Sequence, residues 1–108
     1  MSLHIESVIV RALSRIAPLI AQLEKRNRNL ADQLDRASSS VLLNTSEGAY
    51  SQKANRTARY FNALGSARET EGVLDGAVAM GYVQRVEPQL AARLHHVTAV
   101  LVLLSRRG

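Results

Sequence analysis

The sequence predicts an all-α fold, an antiparallel up-and-down four-helix bundle. Three observations carry that reading. Apolar residues recur at alternating spacings of three and four through four long segments. Six glycines and two prolines are too few for the many turns of an all-β chain. The breaks between segments are short, and short connections make helices antiparallel neighbours. A length of 108 residues bounds the chain to one domain, residues 1–108, with one core. Aromatic residues are confined to Tyr50, Tyr60, Phe61 and Tyr82, so that core is built from Leu, Val, Ile and Ala.

The first helix is expected from about His4 to about Arg26. Its stripe is Ile5, Val8, Ile9, Ala12, Leu13, Ile16, Leu19, Ile20 and Leu23, with Val10, Ala17 and Ala21 forming a second, weaker apolar face. Pro18 falls inside the pattern and donates no hydrogen bond, so a kink near Ser14 or a restart at Ala17 is expected. After Asn27-Arg28-Asn29, a second helix spans about Leu30 to Glu47 on Leu30, Leu34, Ala37, Val41 and then Asn44 or Thr45. Ser38, Ser39 and Ser40 are poor helix formers whose use is their size, which permits close backbone approach. Gly48 is expected just past the helix end in the left-handed conformation.

Ser51 is positioned to cap a third helix from Gln52 to about Met80. Its expected stripe is Ala54, Ala58, Phe61, Leu64 or Gly65, Arg68, Val73, Leu74, Ala77 and Val78. Gly72 and Gly76 mark either close packing or a loosened segment. Gly81-Tyr82 ends it, and Glu87-Pro88 opens the fourth helix, where proline suits the first turn. Leu90, Leu94, Val97, Leu101 and Leu104 form the last stripe. From Val97 to Leu104 this helix is apolar nearly all round, which in a chain this small predicts burial against another subunit. Ser105-Arg106-Arg107-Gly108 reads as a polar tail with basic residues at the negative helix end.

Folding helices two and three back across a turn at Gly48 sets Asn44 near Tyr60, Glu47 near Arg56, and Arg36 near Arg68 and Glu69. Ser38 to Ser40 then face Leu64 to Ser66. Glu47–Arg56 and Arg36–Glu69 are the expected ion pairs, and the plain reading is two helices locked by polar contacts.

The residues along this hairpin form a pattern: Arg36-Ala37, Ser40-Val41, Asn44, Glu47-Gly48, Ser51, Phe61, Gly65-Ser66 and Glu69, with Gly81-Tyr82 beyond. It resembles the four-helix-bundle proteins encoded in intervening sequences of bacterial large-subunit ribosomal RNA genes. It is similar also to the accessory variability determinant proteins of diversity-generating retroelements. The resemblance implies an up-and-down bundle assembled as a ring of five subunits, a pentamer, with no known catalytic activity. The retroelement relatives bind a reverse transcriptase and nucleic acid through basic surface. The ribosomal-insertion relatives have no settled role. Arg36, Asn44, Glu47, Gly48, Gly65, Ser66 and Glu69 are then structural residues. Thr45-Ser46 stands where the pattern usually has an apolar pair.

Absence of cysteine excludes disulfides, thiolate metal sites and cysteine nucleophiles. His4, Glu6 and Arg11 interrupt the region where a signal peptide would be apolar, and the longest apolar run is far short of the roughly 20 residues of a membrane span. A cytoplasmic protein is expected, with no membrane partner. His95 and His96 point about 100° apart on a helix, and positions one turn away carry no further ligand, so no metal and no cofactor are expected. Neither a phosphate loop nor a nucleophile elbow occurs, and the chain is not expected to be an enzyme.

Net charge is +5, which permits binding to a polyanion. The tight basic clusters are Lys25-Arg26-Asn27-Arg28 and Arg106-Arg107. Candidate nucleic-acid-binding residues are Arg11, Arg15, Lys25, Arg26, Arg28, Lys53, Arg56 and Arg59. They are expected to divide between opposite ends of the bundle, and repetition in a homo-oligomer would make a charged ring that contacts phosphates with little base readout. The expected function is a non-enzymatic oligomeric helical scaffold that binds RNA or DNA, or a nucleic-acid enzyme such as a reverse transcriptase. The alternative is a structural protein-interaction module whose charge serves solubility.

Overall fold

The computed structural model of the protein describes residues 4–106. Four helices follow one another: α1 (His4–Glu24), α2 (Arg28–Tyr50), α3 (Lys53–Ala79) and α4 (Pro88–Arg106). Each packs against the next, and α1 closes the bundle against α4. The long dimension is 42 Å, close to the length of α3 at 1.5 Å per residue. Arg107 and Gly108, part of the expected basic tail, lie outside the described residues.

The helix boundaries have local causes. α1 runs unbroken through Pro18, so the restart at Ala17 does not occur. α2 starts at Arg28, two residues before the expected Leu30, because the Asn27 side chain accepts a 3.0 Å hydrogen bond from the Leu30 N–H and so satisfies a first-turn donor. α3 ends as expected. Gly81 has φ +76°, Tyr82 N–H donates to Ala77 O at 2.9 Å, and Gly81 N–H donates to Val78 O at 3.0 Å. This is the Schellman arrangement, which needs a residue without a side chain at the left-handed position.

Gly48 does not end α2. The helix continues to Tyr50, and Gly48 is buried inside it. A Cβ at Gly48 would stand 2.7 Å from Tyr60 Cε1 and 2.9 Å from Tyr60 Cδ1. The glycine is therefore a slot for the Tyr60 ring rather than a helix stop. Ser51 ends α2 in an extended conformation, and its hydroxyl donates to Glu47 O at 2.7 Å. It does not cap α3, whose N-cap is Gln52 with no side-chain cap hydrogen bond.

The same slot changes which face of the first half of α3 points inward, while the expected Leu64, Val73, Leu74 and Ala77 are buried. The buried residues are Tyr60, Ala63, Leu64, Ala67, Thr70, Val73, Leu74 and Ala77. The expected Ala54, Ala58, Phe61 and Arg68 are exposed, and Phe61 is 65% exposed. Tyr60 fills the gap at Gly48, which turns its neighbour Phe61 outward. Gly65, Gly72 and Gly76 have open space where a Cβ would stand, so none of them marks a close helix crossing.

Two apolar clusters make the core. One gathers Ile16, Leu23, Leu34, Leu74, Leu90 and Leu94 towards the α1–α2 turn. The other gathers Ile5, Ile9, Val41, Tyr60, Leu64, Val97 and Leu101 towards the α2–α3 turn. Ser38 and Thr70, both buried, line a narrow gap with residues of each cluster. Their hydroxyls are satisfied within their own helices, Ser38 by Leu34 O at 2.6 Å and Thr70 by Ser66 O at 2.8 Å. Burial of these hydroxyls is tolerated because each has an acceptor. Val97 and Leu101 are buried as expected, whereas Leu103 is 58% exposed.

Candidate functional site

The polar residues singled out in the sequence meet on the α2–α3 face. The Ser66 hydroxyl donates to the Ser40 hydroxyl at 2.8 Å. Asn44 Nδ2 donates to the same Ser40 oxygen at 2.9 Å and to Ser40 O at 3.1 Å. One serine thus accepts from both helices and ties Asn44 and Ser66 together. Glu47 pairs with Arg59 at 3.0 Å, not with Arg56. Contacts fall further along α3 than a turn at Gly48 places them, because α2 runs on to Tyr50. Arg56 instead donates from Nε to Ser51 O at 2.9 Å. Arg36 and Glu69 line one shallow recess with Gln33 and Ser66, but no ion pair joins them among the described residues. Tyr60, seated against Gly48, has its hydroxyl pKa raised by burial; Arg56 lowers it and Glu6 raises it further.

The candidate basic residues separate into groups. Lys25, Arg26 and Arg28 lie at the α1–α2 turn, beside the α3–α4 connection. There Arg26 Nη1 reaches Gly81 O at 3.5 Å, and its guanidinium carbon lies 5.6 Å from the centre of the Tyr82 ring. Lys53, Arg56 and Arg59 begin α3 at the other end of the bundle. Arg11 and Arg15 lie one turn apart midway along α1. The described residues do not bring these groups into one patch.

A family model described as 23S rRNA-intervening sequence protein matches residues 7–103. The chain belongs to the 23S rRNA-intervening sequence protein family. A crystal structure of a protein of unknown function from the S23 ribosomal protein family of Bacteroides thetaiotaomicron is similar to this family member. It shares 19% sequence identity at a TM-score of 0.80, covering 94% of this chain and 98% of that one. At that identity the likeness speaks for the fold, and it agrees with the four-helix bundle. No curated protein matches the chain.

In this intervening-sequence family member, one polar cluster escaped the sequence reading. Glu71 of α3 accepts from Thr98 Oγ1 at 2.8 Å, and His95 Nε2 lies 3.1 Å from its other oxygen. Spacing along α4 alone gave His95 no carboxylate neighbour; the partner comes from α3. Both α4 groups bind the same carboxylate rather than each other, so His95 is turned to Glu71 and not to the Thr98 hydroxyl. No group of three His, Cys, Asp or Glu residues among those described could hold a metal ion. No helix among them is long and apolar enough to cross a membrane.

Proposed function

We propose that this chain is a non-enzymatic helical scaffold that self-associates and holds nucleic acid by phosphate contacts. The observation that carries the reading is the end of the bundle formed by the α1–α2 turn. Lys25, Arg26 and Arg28 form no ion pair among the described residues, and Arg26 lies against the half-buried Tyr82. Cations left without acids, next to an aromatic ring, suit a flexible polyanion with exposed bases. At the opposite end Arg59 is matched by Glu47, so of Lys53, Arg56 and Arg59 one cation fewer is left without an acid. If the sequence pattern's resemblance to accessory variability determinant proteins holds, the same reading extends to a reverse transcriptase or RNA as partner and five copies as the assembly. Titration of labelled RNA at low and moderate salt tests it. Binding at low salt that weakens steeply with added salt is expected; no binding at low salt overturns it.

Uncovered apolar side chains favour self-association and support a second reading, a protein-interaction module without nucleic acid. Phe61 and Leu103 are largely exposed, and Phe61 lines a recess with Ala54, Ala58 and Ser105 between α3 and α4. A sister copy that buries this recess would remove the Phe61 side chain from water, at about 25 cal/mol per Å². Mass measurement in solution checks it: the wild type is expected above monomer mass, and Phe61→Arg is expected to lower it.

A further inference from the structure

We propose that the cleft between α1 and α4 is a binding site for a terminal phosphate, the dianionic phosphomonoester of a small molecule or of an RNA end. The site stands on the flank of the bundle and does not depend on the nucleic-acid reading above. A cavity of about 300 Å³ opens there, lined by α1, the α3–α4 connection and the first turn of α4. That volume is at the lower end of small-ligand pockets.

Its charge is one-sided. Arg15 of α1, Arg85 of the connection and Arg93 of α4 all line it, against the single acid Glu87. None of the three arginines forms an ion pair among the described residues. Three arginines that line one cavity from three elements put like charges around it, which an anion between them would offset. Against one carboxylate they leave an excess of two positive charges, which matches a phosphomonoester above its second pKa of about 6. Guanidinium groups also bind phosphate oxygens through paired N–H donors, a geometry that lysine does not offer.

The rest of the lining agrees with this ligand. α4 begins at Pro88, and Gln89 and Leu90 of its first turn face the cavity. Its positive end and spare N–H groups therefore add to the attraction for an anion. Leu19 and Leu90 supply an apolar wall, and Gln22 and Gln84 supply amides that both donate and accept. A phosphate attached to a ring or sugar fits this division better than a bare ion does.

Calorimetric titration of the full chain at low salt tests the assignment, using inorganic phosphate, a nucleoside 5′-monophosphate and succinate. Phosphate and the nucleotide are expected to bind, the nucleotide more tightly, and succinate at least tenfold more weakly. Arg15→Gln, Arg85→Gln and Arg93→Gln should each weaken nucleotide binding by about tenfold, the scale of a lost charged hydrogen bond. Arg68→Gln, on the outer face of α3, should leave it unchanged. Short RNAs with a 5′-phosphate or a 5′-hydroxyl separate the two sources. Tighter binding of the phosphorylated RNA, lost in Arg93→Gln, assigns the site to RNA ends; nucleotide binding with no such preference assigns it to a free phosphorylated molecule. The proposal is overturned if neither phosphate nor nucleotide binds, if succinate binds equally well, or if Arg68→Gln weakens binding as much as Arg93→Gln. RNA that binds while the free phosphates do not would leave the bundle-end reading standing and remove this one.

Discussion

Between α2 and α3, small side chains and hydroxyls close the gap: Gly48 receives the Tyr60 ring, Ser40 is bonded to Ser66, and Glu47 is paired with Arg59. Between α1 and α4 a cavity remains, and Arg15 and Arg93 face it without acid partners. The first seam uses Ser40, Asn44, Glu47, Arg59 and Ser66 on one another; the second leaves charge available to something outside the chain. Whether a polar face is a lock or a binding surface depends on whether its groups are already satisfied.

The sharpest way to break the α2–α3 lock is Gly48→Ala. The new methyl would collide with the buried Tyr60 ring, and overpacking outweighs the helix propensity gained, for a net loss of about 1–2 kcal/mol and a Tm lowered by roughly 5–10 °C. Thr45→Val should act in the opposite direction. Thr45 is fully buried and its Oγ1 has no hydrogen-bond partner, so removing the hydroxyl is expected to stabilise by about 1 kcal/mol in urea unfolding. Gly72→Ala, with open space around the added methyl, should gain about 0.5–1 kcal/mol from propensity alone. That sign reversal between two glycines separates a packed position from an unpacked one. On the α1–α4 side, Arg15→Gln should leave stability within about 0.5 kcal/mol, because its charge holds nothing in the fold. A change as large as that of Gly48→Ala there would erase the contrast between the seams.

Alkaline titration examines the lock from another side. With its pKa raised in the folded state, Tyr60 contributes stability that is fully present below about pH 10, the unfolded value. The contribution is lost as pH rises through the folded pKa. Tyr60→Phe should show a smaller fall in stability across that range.

Much of the fold was legible. The stripes of α1 and α4 and the stop at Gly81-Tyr82 follow from periodicity and glycine chemistry, which act locally. Leu64, Val73, Leu74 and Ala77 of the expected α3 stripe are buried, but the inward face of its first half was not legible, because Ala54, Ala58 and Phe61 are spaced as regularly as Tyr60, Ala63 and Ala67. Only the vacancy at Gly48, supplied by another helix, decides between them. Thr45 shows a related effect: the position reads as apolar, and the structure buries it without an acceptor for its hydroxyl. The Ser40–Ser66 contact was foreseen, while Glu47 took Arg59 instead of Arg56 once α2 ran past Gly48. The arginine cleft escaped notice because Arg15, Arg85 and Arg93 sit on three separate elements. Nothing short of closing α1 against α4 brings them to one cavity.

The contrast between cations matched inside the bundle and cations left unmatched is tested most directly by measuring RNA affinity across a salt series for two variants. One removes the unpaired end cluster (Lys25→Gln, Arg26→Gln and Arg28→Gln together); the other removes the cation paired at the α2–α3 seam (Arg59→Gln). The account predicts binding by the wild type at low salt, retained affinity in the seam variant, and a large loss in the end-cluster variant, with the slope of log K against log salt reduced by about 2–3. Equal losses in both variants, or no binding by the wild type at low salt, would contradict it.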